Sequence, residues 1–146
     1  MRDASSTSAT RYGAVMTGII ATVFAALAAV LHVYIFVMES VQWTRPRIWR
    51  RFGVADQAAA DTTRPMAYNQ GFYNLFLAVG AVVGLVLFWA GADAAVVAAG
   101  RALVLFALGS MLAAAIVLTT SGAKYLRPAA VQGTLPLIGF VLFLFA

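Results

Sequence analysis

Cysteine is absent from this chain, charge is scarce, and there is a single histidine. Each shortage removes a class of protein. Without cysteine there is no disulfide framework, no thiolate metal site and no cysteine nucleophile. Charged residues are 10% of the 146 positions, where a soluble domain carries about 25%, so polar groups could not cover a soluble surface. The same scarcity excludes intrinsic disorder, which needs low hydrophobicity and high charge. One histidine without nearby second ligands argues against zinc, and haem would need a second chain or an odd axial partner. No phosphate-binding glycine loop, nucleophile elbow or metal-ligand pair occurs. No cofactor is implied.

What is present is apolar, at 63% of the chain. The length suits one domain over residues 1–146. Residues 12–38, 65–92, 102–123 and 128–146 contain no Asp, Glu, Lys or Arg, giving runs of 27, 28, 22 and 19. Crossing the hydrocarbon takes about 20 apolar residues, and backbone groups in lipid must bond within their own segment, so each run reads as a helix. The expected fold is all-α: an integral membrane four-helix bundle with spans near 13–39, 66–90, 98–120 and 128–146. Residues 1–10, rich in Ser and Thr, read as a flexible tail. The first run is too long for the apolar part of a signal peptide.

The net charge of +5 is a topology signal and not a nucleic-acid patch. Four spans put loops 40–64 and 120–127 on one side. Those loops carry Arg45, Arg47, Arg50, Arg51, Arg64, Lys124 and Arg127, against Arg2, Arg11 and Arg101 on the other side. The positive-inside rule then makes the two basic loops cytoplasmic. Both termini and loop 91–101 are extracytoplasmic, in a cell (inner) membrane. In the first cytoplasmic loop, Pro46 suits a helix start and Gly53 a helix stop. Ile48, Trp49 and Phe52 share one face and Arg47, Arg50 and Arg51 the other, the pattern of a short amphipathic helix lying in the interface. Thr63 and Pro65 are expected to open the second span.

Polar groups inside a membrane are costly, so their positions are informative. His32 and Glu39 lie seven residues apart, about two helical turns, and are expected to share a face. Trp43 extends that face. Asn69 and Tyr73, and Gln70 and Asn74, are spaced i,i+4 and form a polar strip. Gln132 opens the fourth span. Nearly all of these fall in the expected cytoplasmic half, as a cup that opens inward. Candidate ligand-binding residues are Glu39, Trp43, Arg45, Arg47, Asn69, Gln70, Tyr73, Asn74 and Gln132. Glu39 and His32 are the acid–base candidates if the site is catalytic. Glu39 also has a plain reading as a surface ion pair, and His32 as a neutral ring bonded to a backbone carbonyl. Gly80 and Gly84, with Ala21, Ala25 and Ala29, have the small-residue spacing of helix contacts, within one bundle or at a homo-oligomer seam.

The segment Leu31-His32-Val33-Tyr34-Ile35-Phe36, followed by Glu39, Trp43, Thr44, Pro46 and Arg47, resembles a signature of small bacterial membrane proteins, the domain-of-unknown-function family 1304. So does Asn69-Gln70-Gly71-Phe72-Tyr73-Asn74 with Leu77 and Ala78, and the resemblance spans roughly residues 17–142. An acid often precedes the histidine in that pattern; Leu31 stands here, so no local acid–histidine pair exists. The resemblance implies four membrane helices and no established biochemical role. In architecture the chain is also similar to microsomal glutathione-transferase-like membrane proteins, with Arg64, Asn69 and Asn74 loosely echoing their second helix. Three functions stay open: a site for a small amphipathic or anionic ligand facing the inner leaflet, an oligomeric proton-coupled transporter, and a membrane enzyme or accessory subunit. The expected partners are membrane lipid, a small amphipathic ligand and further copies of the chain, with no nucleic acid.

Because the chain has no native cysteine, single cysteines report its orientation directly. A membrane-impermeant maleimide applied to intact cells is expected to label Ala92→Cys and to leave Ala55→Cys unlabelled until the cells are opened. The reverse pattern would overturn the assignment of sides.

Overall fold

Two aspartates begin two of the long helices. Asp56 accepts a hydrogen bond from the Ala59 N–H at 2.8 Å, and Asp93 accepts from the Ala95 and Val96 N–H groups at 2.9 Å. These bonds satisfy N–H groups that a first turn leaves without partners. The computed structural model describes the backbone of residues 4–146 and the side chains from residue 12 onward. Helix α1 covers Ala4–Phe36 and runs into a π-helical turn at Val37–Val41. A short α2, Pro46–Trp49, continues as a 3-10 turn at Arg50–Phe52. Helix α3 covers Gln57–Ala90, α4 covers Ala94–Thr120, a 3-10 turn covers Ala123–Tyr125, and α5 covers Leu126–Phe143. No strand occurs among the described residues. Four helices, over Tyr12–Val41, Gln57–Ala90, Ala94–Thr120 and Ala123–Phe143, are long and apolar enough to cross a membrane.

The helix ends correct several expectations. Helix α1 starts at Ala4, within the stretch expected as a tail; residues 1–3 of that stretch lie outside the described residues. Helix α3 starts at Gln57 and not near Thr63, because the Asp56 cap and the Ala58-Ala59-Ala60 run favour an earlier start. Pro65 therefore lies inside the helix, and the Thr63 hydroxyl donates back to the Ala59 carbonyl at 2.8 Å instead of capping. Helix α4 starts at Ala94, ahead of the expected span 98–120, so the connection before it is shorter than the loop 91–101 expected and Arg101 lies inside the helix. The helix at Pro46 does stop at Gly53, whose φ of 75° suits glycine. Its apolar face, however, does not turn to lipid. Ile48 and Trp49 are buried, and Trp49 packs with Trp43, Ala60 and Ala67. This segment clamps α1 to α3.

The four long helices form a ring in which α1 packs on α3 and α5, and α4 packs on the same two. Consecutive spans are neighbours, as in an up-and-down bundle. The core is built from small residues: Ala21, Ala25, Ala28, Ala78, Ala81 and Ala107 are all at most 1% exposed. Large apolar side chains such as Val30, Phe76, Phe106 and Val117 face outward. This inside-out arrangement suits lipid, where bulky apolar groups lose nothing by facing outward and small ones let backbones approach. The closest approach joins α3 to α4. A Cβ at Gly84 would lie 2.8 Å from the Val104 N and 3.0 Å from the Gly100 O, and one at Gly100 would strike the Phe88 N. Of the small-residue positions singled out in the sequence, Gly84, Ala21, Ala25 and Ala29 are buried in packing within one chain. The far end, away from the long loop, is filled by Phe88 and Phe143, with Trp89 packed on Phe88 at its exposed edge. There the Trp89 indole N–H donates to the Thr22 hydroxyl at 2.8 Å. Arg101 donates to the Leu144 carbonyl at 2.6 Å, at the end of α5.

Gly84 and Gly80 should therefore respond oppositely. Gly100→Val and Gly84→Val are expected to lower stability by about 1–3 kcal/mol through backbone overlap. Gly80→Ala, whose new Cβ meets nothing nearer than 3.9 Å, should be neutral or gain up to about 1 kcal/mol of helix propensity. Thermal unfolding of the purified protein in detergent checks the contrast.

Candidate functional site

The α register of α1 ends at the π turn. There the Gln42 N–H bonds to the Val37 carbonyl at 2.9 Å, five residues back. A π turn adds a residue to the helix and shifts the later residues onto a different face. Ser40 anchors the turn by donating to the Tyr68 carbonyl on α3 at 2.8 Å. The turn can lie this close to α3 because residue 71 has no side chain. A Cβ on Gly71 would collide with the Ser40 hydroxyl and come within 3.1 Å of the Glu39 Cβ and the Ser40 N. Glu39 is thereby held against α3, 5% exposed, with Oε2 accepting from the Asn74 amide at 3.0 Å. The same amide group donates to the Gln70 carbonyl at 3.1 Å. No described cation pairs with Glu39, so the surface ion pair expected as one reading is replaced by a buried carboxyl on an asparagine.

Glu39 and Asn74 open onto a cavity of about 380 Å³ at the loop end of the bundle. Its apolar wall comes from Leu31, Ile35, Met38, Leu77, Ala114 and Leu118. Gln70, Tyr73 and Gln132 line it together with Glu39 and Asn74, so five of the nine candidate ligand-binding residues meet in one place. Pro136 lacks the N–H that would bond the Gln132 carbonyl within α5. Arg51, Tyr34 and Tyr125 also line the cavity, and the Arg51 guanidinium donates to the Tyr34 hydroxyl at 3.0 Å.

The other four candidates lie elsewhere. Trp43 is buried outside the cavity; its indole N–H donates to the Ala60 carbonyl at 2.9 Å and its ring packs on Phe52 at 5.3 Å. Its work is to pin the loop to α3. Arg45 and Arg47 are exposed and outside the cavity, since α2 turns its polar side away from the bundle. Asn69 is exposed and does not line the cavity, although Tyr73, one turn on, does. His32 is fully buried and also outside the lining; its Nδ1 lies 2.9 Å from the Ala28 carbonyl. A carbonyl only accepts, so Nδ1 carries the proton of that bond. The seven-residue spacing puts His32 and Glu39 on one face of a regular helix, but the π turn breaks that regular register. Thr119, Thr120 and Thr134 bond back to carbonyls of their own helices and add nothing to the cup. No group of three His, Asp or Glu residues forms among the described residues, so none offers a metal-ligand set.

Tyr34 and Arg51 were missed by the sequence reading. The signal for Tyr34 was present: Leu31, Tyr34, Ile35 and Met38 recur at three- and four-residue spacing and form one face of α1. Arg51 had none, because its placement depends on how the short helix folds back.

The four apolar helices define a multi-pass α-helical membrane protein, with a cavity at the loop end of the bundle. The chain belongs to the family described as "Protein of unknown function (DUF1304)", whose family model matches residues 26–144. No curated protein and no solved structure matches the chain. The likeness to microsomal glutathione-transferase-like proteins has no match behind it.

The contact at Gly71 should show as coupling. Gly71→Ala is expected to destabilise the protein by about 1–3 kcal/mol. Adding Ser40→Ala, which removes the hydroxyl that the new methyl strikes, should make the double variant more stable than the sum of the single losses. A double-mutant cycle of unfolding free energies checks this, and simple additivity would count against the contact.

Proposed function

We propose that this protein binds a small amphipathic molecule in the loop-end cavity, with the apolar body against α1, α3 and α4 and the polar end at Glu39 and Asn74. The observation that carries the reading is the composition of one cavity. An apolar wall meets a few convergent polar groups in a volume of about 380 Å³, which falls in the range of about 300–1,000 Å³ typical of small-molecule sites. Arg51, held by the Tyr34 hydroxyl, is suited to an anionic part of the same molecule. With the basic loops cytoplasmic, the cavity opens toward the inner leaflet, where amphiphiles concentrate. The packing of Phe88 on Phe143 at the far end disfavours a through-path within one chain, which supports binding over conduction.

Ala114 lines the cavity but is itself exposed and outside the core. Ala114→Trp is therefore expected to fill the cavity while leaving the melting temperature near that of the parent. Binding of a radiolabelled twelve-carbon amphiphile to the purified protein should weaken about tenfold or more, as the apolar area it can bury is lost. Unchanged binding would reject the cavity as the site.

A further inference from the structure

The proposed reading leaves the chemistry of the ligand's polar end open, and Glu39 narrows it. Its carboxyl group is 5% exposed, and one oxygen, Oε2, is engaged by the Asn74 amide at 3.0 Å. The other oxygen, Oε1, has no hydrogen-bond partner among the described residues. It is not sealed in either. Among the described residues the buried side-chain atoms without partners are His32 Nε2 and Trp49 Nε1; Oε1 is not one of them and so keeps some exposure, on a residue that lines the cavity. A carboxylate withdrawn from water needs a cation or several donors, and one amide is a weak substitute.

The lining contains one cation among its described residues, Arg51, and that group is turned to Tyr34 and not to Glu39. Tyr34 and Tyr73 line the same cavity, and aromatic faces attract ammonium groups as well as guanidinium. The acidic end of the cavity is thus built with one amide donor and, among the described residues, no cation beside it. We infer that the counter-charge is an ammonium group on the ligand, bonded to Glu39 Oε1, so that the cavity takes lipophilic amines or amine-headed lipids. This rests on the cavity being a binding site, as proposed above. Arg51 fits the inference: it lines the same cavity, and its guanidinium suits the phosphate of an amine-headed lipid.

The test uses the purified full chain in dodecyl maltoside micelles at pH 7, with two probes of equal tail length, radiolabelled dodecylamine and dodecanoate, and subtraction of protein-free micelles. The parent protein is expected to hold the amine at least about tenfold tighter than the acid, the scale of a charged hydrogen bond. Glu39→Gln should abolish that preference and Glu39→Asp should keep part of it. Equal binding of the two probes by the parent protein, which needs no variant to fold, overturns the inference while leaving the cavity reading standing. A preference that survives Glu39→Gln in a folded variant overturns it too. Binding of neither probe overturns the cavity reading and the inference with it. Where the amine preference holds, displacement by phosphatidylethanolamine but not by phosphatidylglycerol assigns the source to the bilayer, and no displacement by either assigns it to free amines.

Discussion

Direct contact between helix backbones carries this molecule. In lipid there is no hydrophobic drive to bring helices together, so association depends on how closely their surfaces fit. The chain meets that condition with alanine and glycine. Gly84 and Gly100 bring α3 onto α4, a Cβ at Gly139 would lie 3.3 Å from the Ala25 N of α1, and Gly71 admits the π turn to α3. Bulky residues are displaced outward to the lipid, which explains how a chain of this composition buries mostly small side chains.

The cavity is where that packing stops. Up to Ala29 the face of α1 that enters the core is alanine; from Leu31 onward larger side chains, Leu31, Tyr34, Ile35 and Met38, line the cavity instead. The clamp of Trp43 and Trp49 on Ala60 and Ala67 keeps the loop in place beside this gap. A buried carboxyl group thus lies against an apolar wall, with a single amide to satisfy it. Polar groups of this kind are expensive in a membrane, and their expense makes a functional reading natural.

Much of this was legible in the sequence, and the residues show why the rest was not. Gaps between charges located all four spans, because charge is what lipid excludes. The cup of Glu39, Gln70, Tyr73, Asn74 and Gln132 followed from the position of polar groups along those spans. Local cues failed where two competed. Thr63 and Pro65 looked like a helix start, yet Asp56 and three alanines supplied a stronger one upstream. Helical periodicity linked His32 to Glu39 and extended the face to Trp43, but it cannot anticipate a π turn, which Gly71 and Ser40 set through contact with a distant helix. Arg45 and Arg47 were the arginines expected at the site, whereas Arg51, later in the same segment, is the one that lines the cavity. The short helix between Pro46 and Gly53 was foreseen in its bounds but not in its contacts, since an apolar face does not announce whether lipid or protein will cover it.

The central claim is that this cavity holds an amphiphile by its two ends. An experimental structure of the protein in a lipid nanodisc tests it most directly. The account predicts continuous density for a tail between Leu31, Leu77 and Leu118, ending in a head group at hydrogen-bond distance from Glu39. A cavity closed by its own side chains, or holding ordered water alone beside Glu39, would contradict it.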